Sequence, residues 1–330
     1  MEKARVGIAA VCVAMVLAFS ATGCGSDEPL SPVANDDADL PDPGSDGLQL
    51  RTGVIPVDPG HEVQNCYFFE VPSDLFVNRV TLAQNIGSHH MNVFRVKTIK
   101  NLDGAPGEVV RDGECWNSPN WADWPLVANS QSAGVEDWTL PENVALKLSA
   151  GEKIMLQSHY VNASTQQTPT HGNVVVNFYG VPPSAELQEL GTMFATNQEI
   201  EICPGTERTF EHTCGIDKDH EITVIAASGH FHSRGRRFTM RTYDSLTGAT
   251  GPDFYESQAW NEPPFLHDLN VKIGAGNKVQ WTCEFTVKND ECGDPAKGCC
   301  FTFGGKVESQ EHCNAFVYYY PRGASDRNCF

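Results

Sequence analysis

The sequence predicts an all-β fold: two tandem antiparallel β-sandwich domains, jelly-roll-like and braced by disulfides. Three observations carry this. Short runs of alternating character recur along the chain, among them "NRVTLAQNI", "EKIMLQSHYV", "NVVVNFYGV", "RFTMRTYD" and "NAFVYYYP", each bounded by Gly, Pro, Asn or Asp. Few stretches show a helical period. The 330-residue chain also holds twelve cysteines, and setting aside Cys12 in the leader and Cys24 just after it leaves ten, an even number suited to pairing in an oxidising compartment.

The N-terminus reads as an export signal over residues 1–23. Lys3 and Arg5 form a basic region, Val6 to Phe19 an apolar stretch, and Ser20-Ala21-Thr22-Gly23 a small-residue run before Cys24. That apolar stretch is too short for a permanent bilayer span. The run ending in cysteine resembles a bacterial lipobox, with Cys24 the lipidated first residue of the mature chain; a plain secretory peptide is the alternative. The expectation is an exported bacterial lipoprotein held to a membrane by its lipid, at the periplasmic face or at the outer membrane or cell surface. Gly25 and Ser26 lack the familiar Asp retention signal, which points outward.

Residues 24–50 read as an acidic tether, rich in Asp, Pro, Ser and Gly and without a basic residue. The formal charge of −19 argues against nucleic acid as a partner, because phosphates would be repelled. About 280 residues follow, enough for two medium domains. The segment "YGVPPSAELQEL" breaks the β rhythm with two prolines and sets the expected boundary, giving domains over 51–181 and 182–330.

Chemistry-bearing residues cluster in the strands. "GSHHMNVF" supplies His89 and His90, "MLQSHY" supplies His159, "ASGHFHSRGRRF" supplies His230 and His232, and "QEHCNAF" supplies His312. Alternate residues of a strand share a face, so His230 and His232 can reach one metal ion. They continue the face of Ile222, Val224 and Ala226, so a covered strand ends in two polar groups, and buried imidazoles need partners. His89 and His90 are consecutive and face apart unless the strand is bulged, which Gly87 makes easier. Otherwise one packs in the core and the other faces water. His159 lies off the more apolar face of its strand, which suits a ligand or an ordinary exposed histidine. His61, His171, His212, His220 and His267 lie in polar or turn contexts. Neither GxSxG nor HExxH occurs, which speaks against hydrolases.

Taken in chain order, HH, a single strand histidine, HxHxxG with Gly235, and a histidine beside Cys313 resemble the copper type II, ascorbate-dependent monooxygenases, the family of peptidylglycine α-hydroxylating and dopamine β-monooxygenases. The resemblance runs from about residue 52 to Cys329. It implies two sandwiches facing each other across a cleft, each with one copper. His89, His90 and His159 match the ligands of the electron-relaying copper; His230 and His232 match two ligands of the second, where dioxygen binds and a substrate C–H bond is attacked. The third ligand there is a methionine in the family, and here it is His312. The cysteines match as pairs Cys66 with Cys115, Cys283 with Cys313, and Cys214 with Cys329. Cys203, Cys292, Cys299 and Cys300 form two further bridges of open connectivity, since neighbours Cys299 and Cys300 do not easily join each other.

The expected cofactors are two copper ions per chain, with ascorbate or an equivalent one-electron donor as co-substrate. The expected partners are dioxygen and a small-molecule or peptide substrate. Ser228 and Phe316 replace an arginine and a tyrosine that grip a peptide in the peptide hydroxylases, which disfavours a C-terminal glycine peptide. Arg234, Arg236 and Arg237 offer charge to an anionic partner, or form a solvated turn. Two other readings stand beside the enzyme: a copper storage, carrier or sensing lipoprotein with two three-histidine sites, and an adhesive sandwich whose histidines are incidental.

Overall fold

The computed structural model describes residues 37–117, 119–163 and 170–330. The export signal, Cys24 and the tether up to residue 36 lie outside the described residues. The fold is all-β. Strands are antiparallel apart from short parallel pairings such as that of Gln188–Glu189 with Val144–Leu148.

From the first half of the chain come two main sheets. One runs in the order Gly47–Arg51, Val174–Val181, Leu75–Gln84, Val144–Leu148 and Gln188–Glu189, with Gly134–Thr139 also joined to Leu75–Gln84. The other runs Val109–Val110, Glu62–Glu70, Lys153–Val161, Ser88–Arg95 and Leu126–Ser130. Val80, Leu82, Leu146 and Phe178 of the first share one buried core with Phe68, Met91, Val93 and Leu156 of the second. The second half repeats the plan. One sheet orders Val271–Ile273, Ile222–His230, Asn314–Tyr320, Gly191–Thr196 and Arg327–Cys329, and the other Glu207–Gly215, Lys278–Thr286, Gly235–Tyr243 and Thr250–Ser257. Val224, Phe238, Trp281 and Phe285 are among the side chains of its core.

One expectation about boundaries needs correction. Gly47–Arg51 is not tether: Leu48 and Leu50 alternate with Gln49, Leu50 is buried, and the strand pairs with Val174–Val181. Sheet membership changes later than residue 181. Gln188–Glu189 still pairs with a first-half strand, and only from Gly191 does the chain enter a second-half sheet. Pro182 and Pro183 interrupt the ladder without ending the first half.

The described residues form one compact unit. The reason lies in the faces that the halves turn to each other. Phe94 meets Phe194 at 5.6 Å between ring centroids, Phe194 stacks on Phe316 at 5.4 Å, and Trp138 meets Tyr318 at 5.1 Å. Burial of each such ring stabilises by about 2 kcal/mol. Polar contacts fix the register of the two faces. Asn129 Nδ2 donates to Ser228 Oγ at 2.9 Å, the Tyr318 hydroxyl donates to Asn129 Oδ1 at 2.6 Å, and Thr192 Oγ1 donates to the Leu126 carbonyl at 2.7 Å.

Five disulfides brace the sheets. The structure pairs Cys66 with Cys115, Cys214 with Cys329, and Cys283 with Cys313, and it joins the remaining four as Cys203 with Cys300 and Cys292 with Cys299. Cys283–Cys313 ties strand Lys278–Thr286 to the residue that follows His312, just before strand Asn314–Tyr320.

Candidate metal centre

Two β-bulges build the centre. In the pairing of Lys153–Val161 with Ser88–Arg95, His159 lies opposite His90 but Tyr160 lies opposite Ser88, so His89 has no partner in the ladder. Gly87, at φ +94°, supplies the left-handed turn into this bulge. The extra residue puts consecutive imidazoles on one side, and the rings of His89 and His90 stack at 5.1 Å.

The second bulge overturns a parity argument. His230 and His232 do not continue the face of Ile222 and Val224. The register of Ile222–His230 against Asn314–Tyr320 shifts between Val224 and Ala226. Ile222, Val224 and Ala227 therefore face the second-half core, whereas Ala226 joins the first-half cluster and Ser228, His230 and His232 follow it toward the junction. A close approach then turns the chain after the pair: a Cβ on Gly235 would lie 1.8 Å from the Phe231 ring, so only glycine fits.

The six histidines converge, four from strands and His232 and His312 from just beyond strand ends. His89 lies within 5.1 Å of His90 and His159 and 4.8 Å of His230, centroid to centroid; His90 lies 4.9 Å from His230, and His232 lies 4.7 Å from His312. Each ring is at most 5% exposed, so the exposed alternative for His159 is excluded. Trp260 stands 6.1 Å from His89 and Phe303 stands 5.1 Å from His312. Among the described residues, the three-histidine group whose ligand atoms all lie within 4.8 Å of one another is His89, His230 and His232.

Hydrogen bonds around the cluster select ring tautomers. The Gln310 carbonyl lies 2.8 Å from His232 Nδ1, so Nδ1 carries the proton and Nε2 keeps its lone pair. The Glu62 carboxylate lies 3.0 Å from His159 Nε2, which leaves Nδ1 of that ring as the donor atom. Glu311 is fully buried and accepts from the backbone N–H of His232 at 2.9 Å and of Arg234 at 3.0 Å, bracing the HxHxxG turn. Burial drives its carboxyl up to about 8, against the pull of those two amides. Burial, then the neighbouring imidazoles, holds His89, His90, His230 and His312 well below the ordinary imidazole range, and burial takes His232 down to about 3. These five rings are neutral at pH 7.

Seven buried ring nitrogens of these six residues have no hydrogen-bond partner: Nε2 of His89 and His232, Nδ1 of His90, His159 and His312, and both nitrogens of His230. Unmet buried nitrogens are costly, and so many lone pairs in one place fit a metal that takes neutral imidazole donors. Residues 184–330 match the copper type II ascorbate-dependent monooxygenase C-terminal domain.

The matched stretch carries His230, His232 and His312; His89, His90 and His159 precede it. No curated protein matches the chain. Solved structures that overlap it include a triple jelly-roll protein of an archaeal virus turret, at 9% identity over 87% of this chain and 62% of that one, TM-score 0.19. The PBSX exported protein XepA shows 7% identity over 72% and 86%, TM-score 0.20. The VP2 subviral particle of infectious bursal disease virus shows 11% over 87% and 76%, TM-score 0.22. The chain spans about three fifths of the length of the first of these. At such scores the overlaps carry no argument.

Other residues singled out in the sequence have structural partners. Ser228 and Phe316 are buried in the junction, Ser228 on Asn129 and Phe316 on Phe194. Arg234 stacks over Phe301 at 4.2 Å and donates to the Val307 carbonyl, and Arg237 pairs with Asp253, Glu256 and Glu284. His171, His220 and His267 each bond an aspartate away from the cluster. A polar crevice of about 430 Å³ reaches the cluster from one side; Glu62, Gln64, Asp112, His159, Lys306 and Gln310 line it. Sequence reading missed Glu62, Gln310 and Glu311. Only Glu311 carried a signal, its place beside His312.

Proposed function

We propose that the protein is an exported copper-dependent monooxygenase that hydroxylates a C–H bond with dioxygen and a one-electron donor such as ascorbate. The observation that carries this reading is the set of orphaned, neutral imidazole nitrogens gathered beside and within a domain of that monooxygenase family. Copper, when bound, supplies one-electron exchange with the donor and activation of dioxygen toward the C–H bond. Two electrons and two protons then balance the reaction: one oxygen atom enters the substrate as an alcohol and the other leaves as water.

The chain's own residues prepare the site. His89, His90 and His159 are assigned to a first copper and His230, His232 and His312 to a second. Glu62 and the Gln310 carbonyl hold protons on the outer nitrogens of His159 and His232, which aims the inner lone pairs. Glu311 holds the turn that carries His232. Aromatic and aliphatic packing excludes water from the rings. The crevice at His159 is assigned to the electron donor, since its amide, carboxylate and ammonium groups suit a small polyhydroxylated molecule.

A second reading keeps the copper without turnover, as storage, transport or sensing, and His312 favours it. Imidazole accommodates Cu(II) more readily than a thioether does, which lowers the drive to reduce the metal. Ascorbate-driven oxygen uptake, matched one to one by a hydroxylated product across a panel of candidate substrates, supports the enzyme. Tight copper retention with oxygen uptake that yields only peroxide supports the binder. The export, lipid anchor at Cys24 and outer-surface location belong to the same proposal and rest on the leader sequence alone.

A further inference from the structure

We propose that His89, His230 and His232 form a composite metal site that spans the two halves of the fold, alternative to the two triplets assigned above. The proposal rests on the copper reading only in taking these imidazoles as ligands.

Three observations point to it. First, one ligand atom from each of the three residues lies within 4.8 Å of the others, and these residues come from both halves. A tetrahedral ion at about 2.0–2.1 Å from each nitrogen needs donors roughly 3.3 Å apart, so movements of about 1 Å or less complete the set. Second, the donors are free. Nε2 of His89, Nε2 of His232 and both nitrogens of His230 are buried without partners, while Gln310 already fixes the outer nitrogen of His232. Third, His89 is the bulged residue, unpaired in its ladder, and its ring stands as near His230, at 4.8 Å, as it stands to His90 and His159, at 5.1 Å. His90 stands equally near His230, at 4.9 Å, but His89 also lies 5.4 Å from His232, which places it against both second-half members of the trio.

The halves are already held in register for such an ion. Asn129 binds Ser228, Thr192 binds the Leu126 carbonyl, and the Val307 amide donates to Glu62 at 3.3 Å. Three neutral imidazoles with one open position suit Zn(II) or copper. All three members of the trio also belong to the assigned triplets, so the trio and two-ion loading exclude each other. The composite site is the one occupied at a single equivalent of metal, and an ion there fastens the two halves together.

The test uses the full-length protein and Zn(II) alone, which involves no redox step. In the variant His90→Ala/His159→Ala/His312→Ala only the trio remains. It should bind one Zn(II) per chain, and adding His89→Ala should weaken that binding at least about tenfold. Were the sites separate, the pair His230 and His232 would bind equally well with or without His89. A second measurement needs no multiple variant. One equivalent of Zn(II) should slow hydrogen exchange in both the 88–95 and the 222–232 segments of the wild type, and His89→Ala should confine the effect to the second, where His312 still completes a triplet. Protection confined to one segment, with binding indifferent to His89, overturns the composite site. If the wild type nonetheless takes up two coppers, the copper reading survives that result; if it takes up neither copper nor zinc, both fall.

Discussion

The carboxylate of Glu62 lies 3.0 Å from Nε2 of His159. The same oxygen accepts from the Val307 amide of the other half, 245 residues away in sequence. Burial opposes ionisation of this carboxyl, and its hydrogen bonds with His159 and the Val307 amide outweigh it, keeping Glu62 below the ordinary glutamate range. One side chain therefore sets the donor atom of a first-half histidine and anchors the 304–311 segment, whose Gln310 carbonyl sets the donor atom of His232. Glu62→Ala should weaken copper binding about 10–100-fold, the usual effect of losing an outer partner of a metal-binding histidine. Glu62→Gln, which keeps an acceptor, should fall between. Copper affinity measured against a competing chelator checks this, and equal affinity in all three proteins would remove Glu62 from the site.

Glu311 invites a stability measurement. Its two oxygens satisfy two buried amides at the HxHxxG turn. Glu311→Ala strands both, and each unmet buried donor costs about 1–3 kcal/mol, so a loss of about 2 kcal/mol or more is expected in chemical denaturation. Glu311→Gln retains one acceptor and should lose about half as much.

The buried imidazoles make the metal-free protein sensitive to acid. His89, His90, His230, His232 and His312 are all held below the ordinary value of 6.5. Below that pH the unfolded chain takes up protons there and the folded chain does not, so stability present above about 6.5 is lost as pH falls. Glu311, raised to about 8, and Glu136, raised to about 7, act in the opposite sense: their contribution is complete below 4.5 and is lost as pH rises through those values. Five groups oppose two. The metal-free protein should be most stable near neutrality and lose up to about 4 kcal/mol per pH unit between pH 6.5 and about 4.5. Urea midpoints that stay flat from pH 7 to 5.5 would contradict the burial of these rings.

Much of the fold was legible because alternation and turn residues declare strands locally. "NVVVNFYGV" and "NAFVYYYP" are strands Val174–Val181 and Asn314–Tyr320. Leu48 and Leu50 were hidden among acidic and proline-rich neighbours, and only their pairing with Val176 and Phe178 shows that the acidic stretch has already entered a sheet. The histidine set was legible as a set, since strand parity and order bring its members forward. Their directions were not. Parity holds only between bulges, and both bulges here are defined by the partner strand rather than by the residues that bulge. Gly87 hinted at the first; nothing in "EITVIAASGHFH" announced the shift after Val224. Glu62 was silent because its partners are 97 and 245 residues away, and a backbone carbonyl such as that of Gln310 has no signature in sequence at all.

Copper stoichiometry of the purified full-length protein, with His232→Ala alongside, tests the central claim most directly. The account predicts about two coppers per chain in the wild type and about one in the variant, the count that two imidazole triplets require. A wild-type protein without copper after reconstitution, or a variant that holds as much as the wild type, would contradict it.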